Sequence, residues 1–176
     1  MQGMTWFQTR LFKTHGASHK TLSLGSGVTV GAGGVLYGAI LGDPPTSPDG
    51  VVFSLSPPAA QGGAWNYAEL YSFPLNGSGG EQPESPLALG AGGILYGATQ
   101  YGGDTEGGLL QGLGAVFSVT PPTSQGGAWT ETVLHSFLDD GDGIGPCCVV
   151  LGGNGTLYGI AVEGSSSAGS VWEIRP

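Results

Sequence analysis

The chain has 176 residues, of which 36 are Gly and 12 are Pro, and 39% of it is hydrophobic against only 10% charged. This balance excludes a disordered chain and favours one domain of short packed strands joined by many turns. The net charge is −9, and every Asp and Glu lies between residues 43 and 173, a stretch without Lys or Arg. Its negative field argues against nucleic acid and anionic membranes as partners and leaves cations and neutral ligands.

Neither a membrane span nor an export signal is visible in the sequence. No apolar run reaches the roughly 18 residues that a spanning helix needs, and the N-terminus has no continuous apolar segment of the signal-peptide type. We therefore expect no membrane partner.

One short motif occurs three times along the chain. It is Gly-Val-Leu-Tyr-Gly-Ala at 34–39, Gly-Ile-Leu-Tyr-Gly-Ala at 93–98 and Gly-Thr-Leu-Tyr-Gly-Ile at 155–160. Leu95 lies 59 residues after Leu36, and Leu157 lies 62 residues after Leu95. A fixed spacing of this size is typical of tandem structural repeats.

Two further blocks keep the same register. Gly-Val-Val-Phe-Ser-Leu at 50–55 matches 114–119 and 169–174, and a Gly-Gly-Ala-Trp to Ser-Phe block at 62–73 matches 126–137. A degenerate copy runs from Trp6 to Phe12. Short apolar and aromatic runs separated by Gly, Pro, Asn and Asp predict strands and turns.

The predicted fold is therefore all-β and propeller-like, with three tandem four-stranded units of about 60 residues. We assign residues 1–176 to a single repeat domain with units at approximately 5–64, 65–128 and 129–176. Propellers usually need roughly four to eight blades. The N-terminal Trp6 run could complete the last sheet, and a homodimer could supply six units.

The Leu-Tyr-Gly, Gly-x-Val-Phe and Leu-x-Ser-Phe blocks at this spacing resemble the GloVer tandem-repeat proteins of bacteria. The resemblance spans roughly residues 6–174. It implies an exported or extracellular propeller-like protein without a settled activity.

Candidate chemistry concentrates where the third copy departs from the others. His135 stands where Tyr71 stands in the preceding copy, and Asp139, Asp140 and Asp142 lie in the glycine-containing segment after it. Alternating aspartates before a glycine offer the hard oxygen ligands that Ca²⁺ prefers. We interpret the aspartates as metal ligands and His135 as a catalytic base; a solvated polar turn is the alternative.

Two functions follow from this pattern. The first is a calcium-dependent hydrolase of a small neutral ester or lactone, in which the ion polarises the carbonyl and His135 activates water. Known calcium-dependent propeller lactonases are similar in fold but not in motif. The second is a non-catalytic surface module that binds carbohydrate or protein.

The cysteines, the tryptophans and the two N-terminal histidines are assigned no chemistry. Cys147 and Cys148 are read as small buried hydrophobes of a strand, without chemistry. The repeat positions of Trp65, Trp129 and Trp172 favour core packing over sugar stacking. His15 and His19 have a zinc-like spacing but lie in a loop-like stretch with no nearby acid.

Overall fold

The structure is a computed structural model that describes residues 8, 10–11, 27–42, 50–74, 79–103, 112–138, 141–163 and 169–176. Asp139 and Asp140, like Trp6, His15 and His19, lie outside these ranges. Within the ranges, no helix is long and apolar enough to span a bilayer.

The described residues form strands joined by turns and by one-turn 3-10 helices. The strands are β1 (Thr29–Val30), β2 (Leu36–Leu41), β3 (Gly50–Ser56), β4 (Asn66–Ser72), β5 (Gly80–Glu81), β6 (Ala88–Leu89), β7 (Leu95–Thr99), β8 (Tyr101–Gly102), β9 (Ala115–Thr120), β10 (Thr130–Ser136), β11 (Ile144–Leu151), β12 (Leu157–Glu163) and β13 (Ser170–Ile174). The 3-10 helices are Ala32–Gly34, Ala91–Gly93 and Gly153–Gly155.

These strands assemble into antiparallel sheets, which confirms the all-β prediction. The first sheet has the order β1-β2-β3-β4, the second β6-β7-β9-β10 and the third β11-β12-β13, while β5 pairs with β8. The first two sheets have four strands each, and the third has three in the described part of the chain. The predicted unit boundaries at residues 64 and 128 separate β4 and β10 from the sheets to which they belong, so three four-stranded units with these boundaries are not confirmed. The described strands do not close into a barrel or ring.

The same turn precedes β2, β7 and β12. Its middle residue has a left-handed backbone, with φ of 65° at Gly33, 69° at Gly92 and 61° at Asn154. Glycine adopts this conformation without steric cost, and asparagine is the side chain that tolerates it best. The repeated glycines therefore mark the turn that starts each of these strands.

Each sheet has two faces, which we name after the Leu-Tyr-Gly motif. The leucine face carries Leu36, Leu95 or Leu157, and the tyrosine face carries the tyrosine that follows. On the leucine face, the motif glycine pairs with an aromatic residue: Gly97 lies opposite Phe117 and Gly159 opposite Trp172. A Cβ at either glycine would come closer than 3.0 Å to that ring. The glycine therefore makes room for the aromatic side chain.

The core lies between successive sheets, where a tyrosine face packs on the next leucine face. Between the first and second sheets, the buried cluster is Val52, Phe73, Leu87, Leu95, Phe117 and Val119. Between the second and third sheets, it is Ala98, Val116, Phe137, Val149, Leu157 and Ala161. Trp129 and Trp172 are half-buried against these clusters, and Trp65 against a third on the first sheet.

The tyrosine face of the third sheet is open to solvent. Val52 and Val116 occupy equivalent positions on the first two tyrosine faces and are 0% exposed, whereas Val171 on β13 is 82% exposed. Ala98 is 0% exposed, whereas Ile160 at the equivalent position is 41% exposed. The open face, defined by Val150, Tyr158, Ile160 and Val171, is thus a surface that the repeat buries elsewhere.

Val116 and Val171 are equivalent in the repeat, but only Val116 lies on a covered face. Truncating each to alanine should therefore change the free energy of unfolding by different amounts. We expect Val116→Ala to lower the free energy of unfolding by about 2–3 kcal/mol, because it removes buried methyl groups and leaves a cavity. Val171→Ala should cost less than about 1 kcal/mol, because only strand propensity changes. Urea unfolding of both variants tests this, and equal losses would contradict the assignment of the open face.

Candidate functional site

His135 and Asp142, two of the predicted site residues, are in direct contact. His135 lies on β10 just after a bulge between Val133 and His135. Its Nε2 is 2.9 Å from Oδ2 of Asp142, with the His135 and Asp142 side chains 42% and 22% exposed. The Phe137 ring packs nearly perpendicular to the imidazole, with ring centroids 4.9 Å apart.

The turn that carries Asp142 is fixed by its neighbours. Gly141 and Gly143 have φ of 120° and 94°, conformations that glycine supplies readily. The Ser170 hydroxyl on β13 donates a hydrogen bond of 2.9 Å to the Asp142 backbone carbonyl. Asp142 is therefore positioned by the third sheet, while His135 is positioned by the second.

One carboxylate oxygen of Asp142, Oδ1, is buried and accepts no hydrogen bond within the described residues. A buried, unpaired carboxylate oxygen favours a cation or a hydrogen-bond donor beside it. The described residues contain no cluster of three or more His, Cys, Asp or Glu that could hold a metal ion. Of the predicted metal ligands, only Asp142 can be placed.

A second polar pair, which the sequence reasoning missed, lies between the first and second sheets. The hydroxyl of Tyr71 on β4 donates to Oε2 of Glu131 on β10 at 3.4 Å. Burial raises the pKa of Glu131, and the hydrogen bond from Tyr71 partly opposes that rise. Burial, followed by the charge of Glu131, raises the pKa of Tyr71.

The two pairs occupy related positions. Tyr71 and His135 are equivalent in the repeat, and each faces an acid at the boundary with the next sheet. Glu131 stands where the first copy has Tyr67, so a change of residue type at a repeat position was the signal available in the sequence. Each boundary between the larger sheets therefore holds one pair of ionisable side chains in contact.

Comparison with known proteins adds no relative to this picture. Searches of protein-family models, curated proteins and solved structures gave no match.

The cysteines are not buried hydrophobes, so that prediction was wrong. Cys147 is half-buried and Cys148 is exposed, and both are free. The reason is an irregularity in β11 between Cys147 and Val150, which breaks the alternation of side chains along the strand.

Glu131 should make stability depend on pH. Its pKa is raised above the ordinary 4.5 in the folded chain, so the folded state holds this proton more tightly than the unfolded state does. The resulting stabilisation is complete below pH 4.5 and is lost as the pH rises through the folded pKa. Gln at position 131 cannot ionise, so Glu131→Gln removes this pH dependence. The variant therefore gains stability relative to wild type as the pH rises from 4.5 through the folded pKa of Glu131.

The measurement is urea unfolding of wild type and Glu131→Gln at a series of pH values. The difference between the two free energies of unfolding should change in favour of the variant as the pH rises. A difference that is constant with pH would show that Glu131 titrates alike in the folded and unfolded chains.

Proposed function

We propose that the chain is a non-catalytic repeat module that binds protein through the open face. The observation that carries this proposal is the exposure of Val150, Tyr158, Ile160 and Val171 on one face of the third sheet. Contiguous exposed apolar side chains on a soluble protein mark interaction sites.

The repeat indicates what kind of surface would bind the open face. On the first and second sheets, the same face is covered by the leucine face of the following sheet. A further sheet of the same type is therefore the occupant whose shape and chemistry suit the open face, and a second copy of the chain can supply one.

The first sheet offers an exposed apolar edge for such a contact. Val28 is 52% exposed, although its repeat equivalents Leu87 and Val149 are 2% and 6% exposed. Val30 is exposed as well, at 66%. We propose a homodimer in which the open face of one copy covers this edge of the other, a contact between unlike surfaces that rings use.

The resemblance to GloVer repeats is consistent with this proposal. It supports a propeller-like arrangement of the three units and a bacterial protein that acts outside the cell. A dimer would bring six units together, a number within the range that propellers use.

The dimer has a measurable mass and should depend on the open face. Light scattering of wild type should give twice 17.6 kDa at high concentration. Val171→Lys and Ile160→Lys should weaken association about tenfold or more, because each places a charge in an apolar contact.

Leu134→Lys is the matched control. Leu134 is 38% exposed on β10, away from the open face, so this variant should associate like wild type. A wild-type chain that keeps the mass of one copy at all concentrations, or association that Leu134→Lys weakens equally, would contradict the proposed dimer.

A calcium-dependent hydrolase of a small neutral ester or lactone is the second candidate. The contact between His135 and Asp142 favours it, because a carboxylate can orient an imidazole as a general base. The unpaired Oδ1 of Asp142 offers one oxygen for a cation.

This candidate predicts turnover that chelation abolishes. Asp142→Asn should weaken calcium binding in calorimetry, and His135→Tyr should lower the rate about 100-fold or more. His135→Tyr introduces the residue found at the equivalent position 71, so its fold should be preserved. Absence of turnover in the wild-type chain with calcium would remove the hydrolase and leave the binding module.

A further inference from the structure

Two cysteine side chains meet on the surface of the third sheet. The Sγ atoms of Cys147 and Cys148 are 2.7 Å apart, with one thiol donating to the other. Both cysteines are free, and Cys148 is exposed. Neighbouring residues of a regular strand point to opposite faces, so this contact needs a local departure from strand geometry.

A β-bulge supplies that departure. Cys147 pairs with Ile160 and Val150 with Tyr158, so β11 contains one residue more than β12 between these two pairs. Cys148 lies inside the bulge with φ of 63°, the left-handed region that few side chains adopt. Bulges re-aim a side chain in this way.

The bulge is anchored from the second unit. The Val149 N–H donates a hydrogen bond of 3.1 Å to the hydroxyl of Ser85. Ser85 is 0% exposed, and its hydroxyl donates in turn to the Pro86 carbonyl at 2.9 Å. A buried side chain therefore fixes the backbone that brings the two sulfur atoms together.

We propose that Cys147 and Cys148 form a redox modification site that closes reversibly to a disulfide between adjacent residues. The oxidant is a small-molecule disulfide. The Cys148 thiolate attacks one of its sulfur atoms and releases the first small thiol. The Cys147 thiolate then attacks Cys148 Sγ and releases the second. The two Sγ protons pass through solvent to the released thiolates, so one disulfide is reduced as another forms.

The order of attack follows from exposure and charge. Cys148 is exposed and meets the oxidant first. The pKa of Cys147 is raised to about 12, by burial first and then by the contact with Cys148 and the charge of Glu84. Because the thiolate is the nucleophile, ring closure by Cys147 accelerates as the pH rises through the alkaline range.

Reversibility follows from covalent geometry. The Cα atoms of adjacent residues are about 3.8 Å apart across a trans peptide, whereas relaxed disulfides span roughly 4.4–6.8 Å. A disulfide in so small a ring is strained, and strained or exposed disulfides are the readily reduced ones. The pair is therefore a switch, and it contributes no permanent cross-link.

The cysteine pair borders the open face, but the proposed redox chemistry does not depend on what the open face binds. Cys147 lies opposite Ile160, one of the residues that define this face. Closure of the ring therefore changes the chemistry at the rim of the open face, and its detection requires no knowledge of what binds there.

The test is oxidation of the full-length wild-type chain by excess glutathione disulfide, followed by intact mass analysis. We expect a loss of the mass of two hydrogen atoms, no retained glutathione, and complete loss of the free thiols. Dithiothreitol should restore both thiols without denaturant. Peptic digestion should assign the new bond, because the chain has no Lys or Arg between residues 20 and 175 for trypsin to use.

Single variants provide the matched controls. Cys147→Ser and Cys148→Ser should each stop at a glutathione adduct, because no second thiol remains to displace it. One molecule of phenylarsine oxide, a reagent for neighbouring thiols, should block both wild-type thiols. A wild-type chain that retains glutathione, forms only chain-to-chain disulfides or leaves its thiols unreacted would overturn the proposal.

Discussion

The rest of the structure depends on one contact, the packing of a tyrosine face on the leucine face of the next sheet. An aromatic side chain lies over the glycine of Leu-Tyr-Gly on the leucine face, as Phe117 does over Gly97. Phe73 and Phe137 fill the gaps between sheets and are 0% and 1% exposed. Their backbone N–H groups donate to Gly50 and Gly114 at 2.9 Å. The sequence motif therefore repeats because the same packing between sheets repeats.

The candidate functional residues lie where that packing between sheets is interrupted or carries a changed side chain. Glu131 and Asp142 introduce carboxylates at the boundaries between sheets, and each has one buried oxygen without a hydrogen bond among the described residues. The third tyrosine face has no covering sheet among the described residues, and Val171 on it is 82% exposed. Ile160 stands on this face at the position that Ala98 occupies on the second sheet. The larger side chain increases the apolar area of the open face. These departures support binding more directly than they support catalysis.

The sequence predicted the all-β class, because glycine turns and apolar runs are local signals. It did not predict that β4 and β10 complete the sheets of the strands before them, because strand pairing is not a local signal. It did not predict which face would be open, since Val116 and Val171 occupy equivalent positions and differ only in their neighbours. The pairing of Tyr71 with Glu131 was missed because the two residues lie on different sheets. The exposure of Cys148 was missed because a bulge interrupts its strand. Calcium binding by Asp139 and Asp140 stays a prediction.

Native-state hydrogen exchange tests the central claim, that stability comes from sheets covered on both faces. Backbone amides of β9 in the second sheet, which is covered on both sides, should exchange slowest. Those of β12, the middle strand of the third sheet, should exchange much faster, at a dilution where copies do not associate, because the tyrosine face of that sheet is open. Equal protection of β9 and β12, or slower exchange in β12, would contradict this account.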